Sequence, residues 1–199
     1  RDFCLSRGLG DVYKRQLMSV WDRGFVHYYY GTGKGKSTAA MGLAIRTLGH
    51  GGRVYIGQFI KTMRYGDVLF LEQHTKREEC TIELYGSMYG GTGCLIDHAA
   101  SPKDVQAAEL GLARAVERMC SGLYDLVVWD EVSMAVGLGL LSVEDLIDAI
   151  KQRPEECELV LTGRHYCEEL LPYCQLVTNF AEVKHYYHDG VLSRTGIEH

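Results

Sequence analysis

The chain predicts an α/β fold with a mostly parallel central sheet flanked by helices, and three observations carry that expectation. From Phe25 onward, short apolar and aromatic runs alternate with amphipathic stretches, the pattern of strands and crossover helices. Between the first run and the first amphipathic stretch stands "GTGKGKST", Gly31 to Thr38, a glycine-rich turn joining a strand to a helix. The length of 199 residues, 46% of them hydrophobic, suits one well-buried core and is short for two.

The elements follow in order. "FVHYYY", Phe25 to Tyr30, is the first strand. After the glycine turn, Met41, Ala44, Ile45 and Leu48 recur at helical spacing, and "GHGG" stops that helix before a second strand, "RVYIGQFI", completing a βαβ unit. "TIELYG", Thr81 to Gly86, reads as a third strand. Ser101 and Pro102 form the cap and first position of a long helix with a buried stripe of Val105, Ala108, Leu112, Val116 and Met119. "YDLVVWDE", Tyr124 to Glu131, is a buried strand. Ser142 caps the helix "VEDLIDAIKQR", which Pro154 helps to end. "CELVLTG" is the next strand, and "LVTNFAEVKHYY", Leu176 to Tyr187, is a strand and hairpin candidate. No internal repeat, linker or low-complexity segment interrupts the series. The leader, Arg1 to Leu17, has no sustained period and carries Asp2 and Asp11 among its arginines. It is expected to be a non-native or disordered leader, with Met18 the true start and residues 18–199 one domain.

Composition narrows the function. A net charge of −5 and a pI near 5.9 provide no basic field for nucleic acid or an anionic membrane surface. Seven cysteines, Cys4, Cys80, Cys94, Cys120, Cys157, Cys167 and Cys174, contain no CxxC pair, so they read as reduced thiols and signal neither zinc nor a disulfide framework. No apolar run approaches the roughly 20 residues of a membrane span, and the first residues lack a secretory signal. The expectation is a cytoplasmic protein with neither nucleic acid nor membrane as partner.

The glycine turn carries the chemistry. Against the GxxxxGK[ST] pattern it is one residue short, with Tyr30 where a glycine is usual. Strand, turn and helix nevertheless bring backbone N–H groups and the positive end of a helix dipole to one point, which suits a polyphosphate. Gly31, Thr32, Gly33, Lys34, Gly35, Lys36, Ser37 and Thr38 would cradle it, with Lys36 the mobile cation and Ser37 a ligand to Mg²⁺. Asp130 and Glu131, which end the run "LVVWDE", supply the acid that such a site needs at a neighbouring strand. A tight turn with surface lysines is the competing reading, and the agreement of motif with context disfavours it. A nucleoside triphosphate is thus expected, with kinase, ATPase and transferase chemistry all open.

"YYYGTGKGKSTAAMGLAIRTLGHG", "RVYIGQFIK", "YDLVVWDEV", "LVLTGR" and "VKHYYHDGVLSRTGIEH", in this order, resemble the P-loop type of ATP:cob(I)alamin adenosyltransferase, also called corrinoid adenosyltransferase. The likeness spans Phe25 to His199, and the family's phosphate loop shares the shortened form. It implies a RecA-like P-loop NTPase fold and a homodimer. It further implies transfer of the 5′-deoxyadenosyl group of ATP to the Co(I) of a reduced corrinoid, cobalamin or its precursors, with triphosphate leaving. Mg²⁺ or Mn²⁺ is the implied cofactor, and an electron-donating reductase or flavoprotein an implied partner. ATP would lie in reverse orientation along the loop, so that attack falls on the ribose C5′, and a shorter turn with two lysines suits that seating. Lys36 and Glu131 become the catalytic candidates, Gly31 to Thr38 with Lys61 and Arg164 the ATP-binding set, and Ser37, Asp130 and Glu131 the metal ligands. Lys61 and Arg164 also stand at the ends of predicted strands, where α/β proteins collect ligands. His185 has two readings, contact with nucleotide or corrinoid and structural packing in the C-terminal hairpin, of which the second is preferred.

One stretch departs from the family. Where better-known members place aromatic residues facing the corrinoid, this chain has "TGCLID", so that Cys94, Leu95 and Ile96 take the corrinoid side. Exclusion of the lower axial ligand by bulk would then be weaker, or would fall to Leu95, Tyr85 or Tyr89. Two rival readings are a P-loop kinase or phosphohydrolase acting at the γ phosphate and a catalytically idle nucleotide-binding regulator. The shortened loop and the C-terminal segment count against the first, and the complete set of Lys36, Ser37, Asp130 and Glu131 against the second.

Overall fold

Six strands form the centre of the computed structural model, which describes residues 20–86 and 100–199: β1 Val26–Tyr30, β2 Val54–Phe59, β3 Cys80–Tyr85, β4 Leu126–Asp130, β5 Glu158–Gly163 and β6 Leu176–Asn179. They lie in the order β3-β2-β4-β5-β1-β6, and every neighbouring pair is parallel. The helices are α1 Lys36–Gly49, α2 Gly66–His74, α3 Pro102–Met119, α4 Val132–Gly137 and α5 Val143–Lys151. The leader and the "TGCLID" segment, with Tyr89, lie outside the described residues.

Every residue of β2 and of β4 is buried, which is why these strands read as near-continuous apolar runs: a parallel sheet is covered on both faces. Alternate residues serve opposite faces. Tyr55, Val127, Trp129, Leu159 and Leu161 meet Ala108, Leu112, Ala115 and Met119 of α3 and Leu146, Ala149 and Ile150 of α5. Val54, Ile56, Leu126, Val128 and Val160 meet Ala40, Met41 and Ala44 of α1 and Leu71 of α2. The predicted caps are present. The Ser101 N–H donates to Asp104 Oδ2 at 2.7 Å, and Ser142 Oγ accepts from the Asp145 N–H at 3.0 Å. In α3 the predicted stripe holds, with Ala108, Leu112 and Met119 buried and Val105 and Val116 packed at its margins.

Three regions differ from the sequence reading. Helix α2 buries Val68 and Leu71 while Leu69 and Phe70 face outward, so its apolar residues form no stripe that periodicity could reveal. Helix α4, with 6 residues, is too short to show a period. The C-terminal hairpin does not form. β6 pairs with β1 in parallel, and the backbone that a returning strand would need is engaged elsewhere: the Phe180 N–H donates to Tyr30 O and its carbonyl accepts from the Gly33 N–H, each at 2.7 Å. Past that point the chain leaves the sheet and makes a single 3-10 turn, Tyr186–Asp189. Among the described residues, no helix is long and apolar enough to cross a membrane.

Candidate active site

The carboxyl ends of β1, β2, β4 and β5 open onto a cavity of about 1080 Å³. β1 ends at Tyr30, level with Gly163 of β5, and the chain turns at once into α1. That turn requires φ of +113° at Gly35, the residue that precedes α1, a conformation that favours glycine. No side chain caps α1 there, so the first N–H groups of the helix remain to be satisfied by a ligand or water. Gly33 is needed for a different reason, close approach: a Cβ on it would stand 2.6 Å from Phe180 O. Lys36 folds back into the loop and donates to Gly31 O at 2.7 Å and Gly33 O at 2.8 Å. Burial lowers its pKa, with Arg164 acting in the same direction and Glu131 and Asp130 against it. Lys36 is therefore a preorganised cation whose hydrogen bonds go to carbonyls and which pairs with no carboxylate.

The acid pair ends β4. Asp130 is fully buried, and its carboxylate accepts from Lys61 Nζ at 2.6 Å, Gln58 Nε2 at 2.9 Å and Thr162 Oγ1 at 2.7 Å. The Ser37 hydroxyl is a further donor. Burial opposes its charge, but Lys61 and these hydrogen bonds more than compensate, and its pKa is lowered. Burial likewise opposes the charge on Lys61, and Asp130 outweighs it, raising the ammonium pKa. Glu131 follows with φ of +59°, uncommon for a residue with a side chain, held there as its N–H donates to Thr162 Oγ1 at 2.9 Å. Burial and the neighbouring Asp130 raise the Glu131 pKa, against the pull of Lys61, Lys36 and Arg164. Ile60, at φ of +54°, is the other non-glycine residue in this conformation and adjoins Lys61, so both strained positions among the described residues border the site.

Most of the residues expected from sequence meet here. Gly33, Lys34, Gly35, Lys36, Ser37, Thr38, Lys61, Glu131 and Arg164 line the cavity. Gly31, Thr32 and Asp130 are not among the lining residues: Gly31 and Asp130 are buried and Thr32 is exposed, and Asp130 reaches the site through Ser37 and Lys61. Lys34 points to the C-terminal segment, donating to Glu198 Oε1 at 2.5 Å and to Tyr186 OH at 3.0 Å. Among the described residues, Arg164 makes no hydrogen bond or ion pair, so Lys36 and Arg164 are the lining cations without a carboxylate partner. Cys94, Leu95 and Ile96 lie outside the described residues.

Other positions are corrected. Ile45, which shares the helical spacing of Met41, Ala44 and Leu48, is 49% exposed and lines the cavity with Met41 and Gly42. The spacing of Met41 and Ile45, four apart around a glycine, is the signal that this face of α1 is a shelf. His185 does not pack in a hairpin; it lines the cavity, and its Nδ1 accepts from the Tyr187 N–H. Tyr85 is committed to packing, because its ring fills the slot left by Gly57 and Gly111, and its hydroxyl donates to Glu83 at 2.8 Å. The C-terminal wall, Tyr187, His188, Ile197, Glu198 and His199, belongs to the segment "VKHYYHDGVLSRTGIEH" that carries the family likeness, but sequence reasoning gave these residues no place at the site, because no spacing among them points to a ligand.

The donors present fit a hard divalent cation. Ser37 and Glu131 offer oxygens to the cavity, and Asp130 accepts the Ser37 hydroxyl from behind. Among the described residues, no three His, Cys, Asp or Glu side chains gather into an all-protein cage. A sparse oxygen set of this kind suits Mg²⁺, which keeps waters and shares itself with substrate phosphates.

The family model "ATP:corrinoid adenosyltransferase BtuR/CobO/CobP" matches residues 22–199. The chain belongs to this family. It is a transferase, and its all-parallel sheet and phosphate loop agree with the P-loop NTPase-like architecture of a corrinoid adenosyltransferase. The corrinoid adenosyltransferase of Escherichia coli is 30% identical over 179 residues, 89% of this chain and 87% of that protein. Corrinoid adenosyltransferase CobA of Salmonella typhimurium is 31% identical with the same coverage. That of Pseudomonas aeruginosa is 30% identical over 178 residues, 89% of this chain and 84% of its own. The enzyme is thus similar to them across nearly the whole described structure.

Proposed function

We propose that the enzyme transfers the 5′-deoxyadenosyl group of ATP to the Co(I) of a reduced corrinoid, cobalamin or a precursor, and releases triphosphate. The observation that carries this reading is the state of Lys36: buried, fixed by two loop carbonyls at the uncapped start of α1, and without a carboxylate partner. Such a site is built to receive an anion that stays bound as charge grows on it.

The chemistry asks little else of the protein. Co(I) contributes both electrons of the new Co–C bond, the C5′–O bond breaks, and its electron pair leaves on triphosphate. No proton is transferred, so no general base is needed. Glu131, whose pKa is raised, is then free for metal holding. The N–H groups of Gly33 to Thr38, Lys36 and Arg164 would neutralise the departing charge, and the loop would align C5′ with cobalt. Lys61 acts by fixing Asp130, and through it Ser37. Mg²⁺ or Mn²⁺ would be held by Ser37 and Glu131, supplying further charge neutralisation on the triphosphate. The cavity exceeds the space that a triphosphate alone requires, which leaves room for the nucleoside and an approach to C5′.

Cys94, Leu95 and Ile96 are proposed for the corrinoid side, a homodimer as the assembly, and a reductase or flavoprotein as the source of the electron. These rest on the family likeness. The test is incubation with ATP, Mg²⁺ and chemically reduced cobalamin. The expected product is light-sensitive adenosylcobalamin, formed by the wild type and lost in Lys36→Ala; a corrinoid left unalkylated by the folded wild type would overturn the proposal.

A further inference from the structure

The second lysine of the loop is already occupied by the protein. Lys34 Nζ lies 2.5 Å from Glu198 Oε1, and Tyr186 OH donates to the same carboxylate oxygen. The other oxygen accepts from the Arg194 backbone N–H at 2.8 Å and from Arg194 Nε at 3.3 Å. Arg194 also stacks its guanidinium 4.8 Å from the centre of the Tyr186 ring. Gly196, Ile197, Glu198 and His199 thereby form one wall of the nucleotide cavity, fastened to the loop at Lys34. A carboxylate on a phosphate-loop lysine is an anionic oxygen in a place where a phosphate oxygen would also bind.

We infer that Glu198 is an internal counter-ion which competes with triphosphate for Lys34, so that the Arg194–His199 segment loosens when the polyphosphate binds and re-engages as it leaves. The inference rests on the triphosphate reading above. Two features make the exchange easy. Both partners reach solvent, with 38% and 17% of the side chain exposed, so neither charge is stranded when the pair opens. Glu198 also keeps Arg194 and Tyr186 as donors after Lys34 lets go. Triphosphate is a highly charged product held by a loop designed to hold it, and a built-in competitor would speed its release. Glu198 is then a positioning residue that acts through Lys34.

The probe is inorganic tripolyphosphate with Mg²⁺, its affinity measured by calorimetry on the intact chain. Glu198→Gln keeps the shape and hydrogen-bonding capacity while removing the charge, and it should bind the probe about threefold tighter, as befits an exposed pair. In a Lys34→Ala background the same substitution should change affinity by less than about 1.5-fold, because the competition has no object. Hydrogen exchange on the wild type needs no substitution: the Ile197 and Glu198 amides, which donate to Arg194 O, should exchange faster when tripolyphosphate is added. Unchanged or weaker binding by Glu198→Gln, an equal effect in the Lys34→Ala background, or slower exchange would each overturn the inference while Lys36-dependent binding persists. Absence of any Lys36-dependent binding would instead overturn the triphosphate reading, and this inference with it.

Discussion

Lys61–Asp130 and Lys34–Glu198 are the same chemical pair in two settings. Their lengths barely differ, 2.6 and 2.5 Å, but Asp130 is fully buried while Lys34 and Glu198 both reach solvent. The first pair joins β2 to β4 and is completed by Gln58 and Thr162, so each element that it touches is already fixed by the sheet. The second joins a loop to an irregular segment. In the interior, an ion pair that loses one member leaves a charge that nothing else can solvate, and near the surface water replaces the partner. Distance alone therefore does not say which pair is scaffold and which is exchangeable; burial and the remaining donors do. Lys36 belongs to neither class, since carbonyls hold it and its charge is left for a ligand.

The largest expected effect falls on that third lysine. Lys36→Ala should lower adenosylation at least a hundredfold, corresponding to about 2.7–4 kcal/mol for one preorganised contact to a leaving charge. Its denaturation midpoint should stay near that of wild type. Substantial remaining activity would mean that Lys34 or Arg164 bears the leaving charge and that the division of roles is wrong.

The contrast between the two pairs is exposed to direct attack through stability. Lys61→Met strands the Asp130 charge and should destabilise the fold by about 3–5 kcal/mol, measured by urea denaturation. The double variant Lys61→Met/Asp130→Asn should recover much of that loss. Lys34→Met should leave the midpoint almost unchanged. Equal losses from Lys61→Met and Lys34→Met would erase the distinction.

The pH dependence sharpens it. Asp130 has a lowered pKa in the fold, so its share of stability is present above the ordinary carboxylate value near 4 and is lost as pH falls through the folded value. Lys61 has a raised pKa, so its share is present below about 10.4 and is lost only as pH rises past the folded value. The pair should therefore give a flat plateau between these limits, with an acid loss that the double variant lacks.

Glu131 carries a smaller and opposite effect. Its pKa is raised, so its favourable share exists below about pH 4.3 and is lost as pH rises through the folded value. Glu131→Gln should consequently stabilise the protein at pH 7, by less than Lys61→Met destabilises it, and the gain should vanish below about pH 4. A gain that persisted in acid would show that the raised pKa is not its source.

Much of this was legible in the residues. Buried parallel strands read as apolar runs, Ser101 and Ser142 announced their helices, and the glycine turn with Asp130 and Glu131 pointed to the end of the sheet where the cavity opens. The partnerships of the lysines were not legible, because they join residues 69 apart for Lys61 and Asp130 and 164 apart for Lys34 and Glu198. No local period records such a contact. The C-terminal wall escaped for the same reason. "LVTNFAEVKHYY" has the composition of a hairpin, but Phe180 gives its backbone bonds to Tyr30 and Gly33 and the return strand has nothing to pair with. Ile45 shares the spacing of Met41, Ala44 and Leu48, and a helical stripe does not distinguish a face that meets a sheet from one that meets a cavity.

The most direct test of the proposed transfer is the fate of the phosphorus, followed by ³¹P NMR while ATP, Mg²⁺ and chemically reduced cobalamin react on the wild-type enzyme. One intact triphosphate should appear for each cobalt alkylated, since the bond that breaks is at C5′. Accumulation of ADP with orthophosphate, in step with turnover, would place the reaction at the γ phosphate and contradict the account.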